Sequence, residues 1–199
     1  MELKVVHVNF SSDDHRQALT TLLNSYARLP VGQGEALSAS SLAAIWQALG
    51  ERSWVHAFLA YDQIKPVAMA ICLEGFSTFQ CAPLLNIHDF YVTEELHGQG
   101  VGKALLLQIA EEAKQAGFCK ITLEVLENNL PAKALYRSLG FAPYHNPVAG
   151  NAEFWQKEFF EKRGLSSNLL ISGANGPPIW CKELQHSALM PRIILKSSY

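Results

Sequence analysis

The run His97-Gly98-Gln99-Gly100-Val101-Gly102 sets three glycines at alternate positions, between an apolar stretch and a helix-like one. Glycine reaches backbone conformations closed to other residues. A glycine turn that feeds a helix also exposes unpaired N–H groups at the positive end of the helix dipole. Such a turn is a seat for phosphate; a tight turn without a ligand is the competing reading. Two phosphate loops do not fit. A Walker A loop requires glycine at position 97 and Ser or Thr at 104, where this chain has His97 and Ala104. A dinucleotide turn is Gly-x-Gly-x-x-Gly after a first strand, whereas here the spacing is Gly-x-Gly-x-Gly and an α/β stretch precedes it. Glu124, roughly twenty residues on, is the one residue that answers to a ribose-binding acid.

The elements around this turn follow from patterning. Leu85–Val92 is apolar and β-prone enough for a strand covered on both faces. Glu94 and Glu95 end it. From Lys103, the residues Ala104, Leu105, Leu107, Ile109, Ala110 and Ala113 fit a buried helix stopped by Gly117. Upstream, Leu3–Phe10 reads as a first strand. Ser11 or Ser12 caps a helix running to about Arg28, with Leu19, Leu22, Leu23 and Tyr26 as its buried stripe. Leu29–Leu37 is a loop, and Ser38 or Ser40 starts a second helix carrying Leu42, Ile45, Trp46 and Leu49. Trp54–Tyr61 and Pro66–Leu73 form a hairpin around Asp62–Lys65. Glu74–Pro83 reads as irregular. Downstream, Lys120–Leu126 is a strand, Pro131–Leu139 a helix with Gly140 as its stop, Phe141–Tyr144 extended, and Glu153–Phe159 a last strand.

With 199 residues, 49% hydrophobic and 17% charged, the chain can fill one core and is not expected to be disordered. A net charge of −2 gives no global pull toward nucleic acid or an anionic membrane. No secretory leader is visible in Met1–Asp14, and no apolar run reaches membrane-spanning length. Cys72, Cys81, Cys119 and Cys181 include no Cys-x-x-Cys pair, so no metal site is expected and a reduced cytoplasmic chain is the default. Residues 1–159 form the expected domain and 160–199 an extension of undetermined role.

The element order resembles that of the GNAT superfamily of acyl-CoA-dependent N-acyltransferases. The family's phosphate motif, [Arg/Gln]-x-x-Gly-x-[Gly/Ala], reads His97-Gly98-Gln99-Gly100-Val101-Gly102, with histidine departing at the first position. Its second signature, Asn-x-x-Ala-x-x-Leu-Tyr followed by Gly-Phe, is met by Asn129, Ala132, Leu135, Tyr136, Gly140 and Phe141. Spacing and order are kept. The segments Gly75–Phe79 (GFSTF) and Asn86–Asp89 (NIHD) resemble a bacterial subgroup similar to diamine acetyltransferases. The resemblance covers about residues 1–159. It implies an α/β (α+β) fold, with a mixed, mostly antiparallel central sheet flanked by helices and splayed between its fourth and fifth strands.

The resemblance also implies chemistry: direct transfer of an acetyl group from acetyl-CoA, the cosubstrate, to a primary amine. The acceptor is expected to be a small polyamine-like or amino-sugar-like molecule. Protein N-terminal or lysine acetylation, or a non-catalytic acyl-CoA-binding module, are the alternatives. Backbone N–H groups from His97, Gly98, Gln99, Gly100, Val101, Gly102 and Lys103 would hold the pyrophosphate. Tyr91 and Val92 would face the thioester, and Asn129 and Ala132 the pantetheine arm. Tyr136 would be the general acid, since a phenol with a pKa near ~10 stays protonated at neutral pH. His88 and Glu124 compete as general base, with His88 and Asp89 expected on opposite faces of one strand. Asp89, Glu94 and Glu95 could attract a cation. Phe76, Phe79 and Tyr91 read as core, with an acceptor cleft as the other reading. A homodimer is common among relatives.

Overall fold

Helix caps are where the local sequence acts most directly. In the computed structural model, which describes residues 2–148 and 150–157, the Ser12 side chain caps α1 (Asp13–Arg28) by accepting from His15 N–H. Asp13 and Asp14 lie in the first turn and Arg28 in the last, matching the helix dipole at both ends. Ser38 caps α2 (Ala39–Gly50) in the same way. One face of α1 buries Ala18, Leu19, Leu22, Leu23 and Ala27.

These helices lie against a five-stranded sheet in the order β1 (Leu3–His7), β2 (Val55–Asp62), β3 (Lys65–Ser77), β4 (Ala82–Val92), β5 (Ile121–Leu123). The first three pairings are antiparallel and β4–β5 is parallel. Central β3 is buried without interruption from Val67 to Cys72, as a strand covered on both faces must be. On one face Leu59, Met69, Ile71 and Tyr91 pack on α1, with Ile45, Trp46 and Leu49 of α2 alongside. On the other, Ala68, Ala70, Cys72, Leu85 and Ile87 pack on α3 (Val101–Gln115) through Leu105, Leu106 and Ile109. The expected fold class is the one found, and α3 begins at Val101, two residues earlier than expected.

Three expectations need correction. Glu74–Pro83 is not irregular: β3 continues to Ser77 and pairs with β4 from Glu74↔Leu85 to Ser77↔Ala82. Gly75 lies opposite Leu84, whose Cδ1 would be 3.1 Å from an added Cβ, so the leucine covers the gap. Phe76 and Phe79, on this projecting hairpin, are exposed (60% and 102%) and not core. Glu153–Phe159 is not a strand over its described part, since residues 152–157 adopt no regular structure. Residues 158 and 159 lie outside the described residues. The last strands described are instead the two-residue β6 (His145–Asn146) and β7 (Gly150–Asn151), which pair with each other, while 141–144 joins no strand.

The chain divides into two compact units, Met1–Asn151 and Ala152–Tyr199. In the second, Trp155 Nε1 donates to Glu153 Oε2 (2.9 Å). The rest of the expected 160–199 extension lies outside the described residues. No helix among the described residues is long and apolar enough to cross a membrane.

Candidate functional site

Helix α3 starts without a cap. Ser12, Ser38 and Asn129 each cap their own helix with a side-chain oxygen. At α3 the N-cap is Gly100, which has no side chain to do so. The first bond of this helix runs from Ala104 N–H to the Gly100 carbonyl (2.9 Å). The N–H groups of Val101, Gly102 and Lys103 therefore precede the ladder and point out of the helix end. Gly98 (φ +75°) and Gly100 (φ +87°) are left-handed, and a Cβ on either would meet nothing within 4 Å. The need for glycine there is conformational, and the space before the helix is open. Gln99 Nε2 donates to the Glu95 carbonyl (2.8 Å), and His97 Nε2 lies 2.9 Å from the Val92 carbonyl oxygen. Both side chains thus brace the turn. Lys103, exposed in the first turn, adds a cation.

Gly102 is glycine for a different reason. A Cβ there would lie 3.1 Å from Leu135 Cδ2, 3.4 Å from Val92 Cγ2 and 3.5 Å from Phe90 Cε1. Helix α3 therefore packs closely on both β4 and α4 (Leu130–Ser138).

Strand β4 loses its second partner partway along. It pairs with β5 only from Leu85↔Ile121 to Ile87↔Leu123, and continues to Val92. This is the expected splay. Thr93 N–H donates to the Val67 carbonyl (2.9 Å). Groups alternate along an antiparallel ladder, so the N–H and carbonyl of Val92 face away from β3, toward the opening. His97 takes up that carbonyl and leaves the N–H available. Tyr91 is different: its side chain is buried against α1, its ring centroid 6.1 Å from that of Tyr26.

Tyr136 stands on α4 beside the opening. Its ring is edge-on to Phe90 (centroids 6.4 Å) and tilted against Phe141 (5.9 Å). Burial, with a smaller contribution from Tyr26, pushes its phenol up to about 12. Asn129 Oδ1 accepts from Ala132 N–H (3.3 Å), so these two expected cofactor residues form the cap of the helix that carries Tyr136. Glu124, just past the end of β5, lies within 3.3–3.4 Å of the Asn86 amide, which also donates to Thr122 Oγ1 (3.2 Å).

The β3–β4 register shifts at one point: Ile71 faces Asp89, while the next residue, Cys72, faces Ile87. His88 is thus the extra residue of a β-bulge. The expectation that His88 and Asp89 occupy opposite faces fails for this reason. Both line one cleft of about 350 Å³, with Leu23 of α1, Ile45 and Leu49 of α2, and Val55, Ile71 and Leu73 of the sheet. His88 is exposed and Asp89 half-buried. Burial raises the Asp89 carboxyl above its ordinary value, and the His88 charge beside it works in the opposite direction. Asp89 in turn raises Tyr26 after the larger effect of burial. Tyr26 is therefore within electrostatic reach of both Asp89 and Tyr136. Patterning identified Tyr26 only as part of a buried stripe. Arg52, which also lines the cleft, carried no sequence signal beyond its charge.

The arrangement thus combines an uncapped, open helix N-terminus, a free strand edge, a half-buried phenol and a cleft lined by a carboxylate. Among known proteins, thialysine N-epsilon-acetyltransferase of Caenorhabditis elegans is 28% identical over 91 residues, 46% of this chain and 56% of that one. The enzyme of the same name from Sus scrofa is 39% identical over 100 residues, 46% and 58% respectively. The chain thus spans just over half the length of these curated relatives. An integron cassette protein from the mobile metagenome of V. cholerae shares the fold, with a TM-score of 0.66 and 21% identity over 79% of this chain and 93% of that one. The model of the acetyltransferase (GNAT) family matches residues 17–141, more than half of the 199, and the chain therefore belongs to that family.

Proposed function

We propose that the protein is an N-acetyltransferase that moves an acetyl group from acetyl-CoA to the primary amine of a small molecule by direct attack. The open N-terminus of α3 carries this reading: three N–H groups, two left-handed glycines and Lys103 lie together there, and a Cβ on either glycine would meet nothing within 4 Å beyond its chain neighbours. Those are the donors a pyrophosphate requires. The names of the thialysine-acetylating relatives support an amine acceptor. Acetyl-CoA would supply an activated acetyl thioester, and every other contribution comes from the chain.

In this reading the N–H groups of Val101, Gly102 and Lys103 hold the phosphates. The Val92 N–H, at the free edge of β4, polarises the carbonyl and accepts its growing negative charge. Tyr136 keeps its proton at Oη through the physiological range and delivers it to the leaving sulfur. His88, exposed at the bulge, takes the proton of the amine to solvent. Glu124, held by Asn86, is the competing base, and the turnover of His88→Ala against Glu124→Gln separates the two. Asn129 and Ala132 contribute through the cap that fixes α4. Among the described residues the thiols of Cys72, Cys81 and Cys119 are unpaired, as a reducing cytoplasm would keep them. The oligomeric state is open, with the homodimer common among relatives as one outcome, and sedimentation tests it.

Calorimetric titration with acetyl-CoA tests the central point. Micromolar affinity in the wild type and loss of at least a hundredfold in Gly100→Glu are expected, because that carboxylate would enter the phosphate seat. Unchanged affinity in the variant would overturn the placement.

A further inference from the structure

We propose that the acceptor is an ω-amino acid: its ammonium meets Asp89, its apolar chain lies in the cleft between α1, α2 and the sheet, and its carboxylate meets Arg52. The proposal rests on the transferase reading and specifies the substrate class of that site.

Two charges without an ion-pair partner, both lining an apolar cleft, carry the inference. Asp89 is half-buried and makes no hydrogen bond or ion pair among the described residues, with only the charge of exposed His88 beside it to offset burial. A cation in direct contact is what that carboxylate lacks. Arg52 is also half-buried and lines the same cleft. It donates to the Ala48 carbonyl from Nη1, and its guanidinium lies 6.0 Å from the centre of the Trp54 ring. No carboxylate pairs with it among the described residues, and neighbouring Glu51 is engaged by Gln47 (2.8 Å). A guanidinium has five N–H donors in a planar fork that matches a carboxylate. Between these ends the walls are Leu23, Ile45, Leu49, Val55 and Leu73.

The strand register gives the spacing. Asp89 lies opposite Ile71, whereas Glu74 N–H donates to the Trp54 carbonyl (2.8 Å), which places the end near Arg52 three residues further along β3. At the rise of a strand that is about 10 Å along β3, and the two strand steps from β4 to the β2 side add about 10 Å across it, so the two backbones lie about 14 Å apart. The Asp89 and Arg52 side chains reach in from both ends, and an extended 8-aminooctanoate has the length to bridge the gap they leave. A diamine of equal length would bring an ammonium against Arg52, and a polyhydroxylated aminoglycoside would set polar groups against leucines.

The full chain is titrated with 8-aminooctanoate and with 1,8-diaminooctane, with and without acetyl-CoA, and turnover is followed by thiol release. The amino acid should be used with at least tenfold higher kcat/KM. Arg52→Gln should abolish that preference, lowering use of the amino acid and relieving the repulsion on the diamine, and Arg52→Glu should reverse it, an effect that loss of structure cannot produce. Equal or better use of the diamine by the wild type, or an unaltered ratio in Arg52→Gln, overturns the proposal. If acetyl-CoA binds and neither amine does, the acceptor proposal alone falls. If 8-aminooctanoate binds and acetyl-CoA does not, the transferase reading falls and the cleft assignment stands.

Discussion

Tyr136 and Asp89 are both perturbed by burial, with opposite consequences. A phenol raised to about 12 stays neutral, which is the state a general acid needs. Tyr136→Phe keeps the ring against Phe90 and Phe141 and removes only the hydroxyl. Turnover should fall by about a hundredfold or more, with acetyl-CoA affinity within twofold of wild type; steady-state thiol release and calorimetry measure the two. In Asp89, by contrast, burial penalises the charged form that the proposed acceptor requires. Its folded pKa lies above the unfolded one, so the folded state binds more protons in the window between them. Stability is therefore lost as pH rises from the ordinary carboxylate value through the raised one, and the deficit persists above it. Asp89→Asn should raise the Tm at pH 7, show no gain at pH 3, and abolish acceptor binding. A variant that is less stable at pH 7 would mean that the neighbouring His88 already compensates the carboxylate.

At the scale of elements, what was legible in the sequence was what local chemistry decides. Ser12, Ser38 and Asn129 are good caps in any context, and the helices after them form where expected. Gly98 and Gly100 announce a left-handed turn. What was not legible depends on a partner strand. Leu85–Val92 alternates acceptably on its own, and only the pairing with β3 shows that His88 is an extra residue that turns Asp89 into the cleft. The continuation of β3 to Ser77 likewise depends on its partner, with Leu84 of β4 lying over Gly75. Arg52 has no motif at all; its meaning comes from the cleft that α2 and the sheet build around it. Gly102 lies between these cases, since the motif names it but the reason is the contact of α3 with β4 and α4. Gly102→Ala needs shifts of a few tenths of an ångström, chiefly by Leu135 at 3.1 Å, and should retain activity. Gly102→Val must push α4 and β4 away from α3, costing about 1–3 kcal/mol of stability. It should also displace Tyr136, so that turnover falls more than acetyl-CoA affinity; urea unfolding and thiol-release kinetics test both.

For the molecule as a whole, the question is how much of the chain the site requires. Both apolar clusters are made of residues between Leu3 and Leu139: one holds α3 and α4 to the sheet, the other holds α1 and α2. Every residue assigned a role here, from Tyr26 and Arg52 through the glycine turn to Tyr136, lies within that span. The compact unit ends at Asn151, so the core and both ends of the proposed reaction path belong to Met1–Asn151. A chain of residues 1–151 should therefore fold cooperatively and bind acetyl-CoA within about twofold of the full-length affinity, as measured by thermal melting and calorimetry. Its turnover of 8-aminooctanoate carries separate information. If turnover is also retained, residues 152–199 serve something other than this chemistry. If acetyl-CoA binding survives while turnover is lost, those residues contribute to acceptor capture or release. A truncated chain that fails to fold would show that the two clusters do not suffice, and the boundary would move toward the C-terminus.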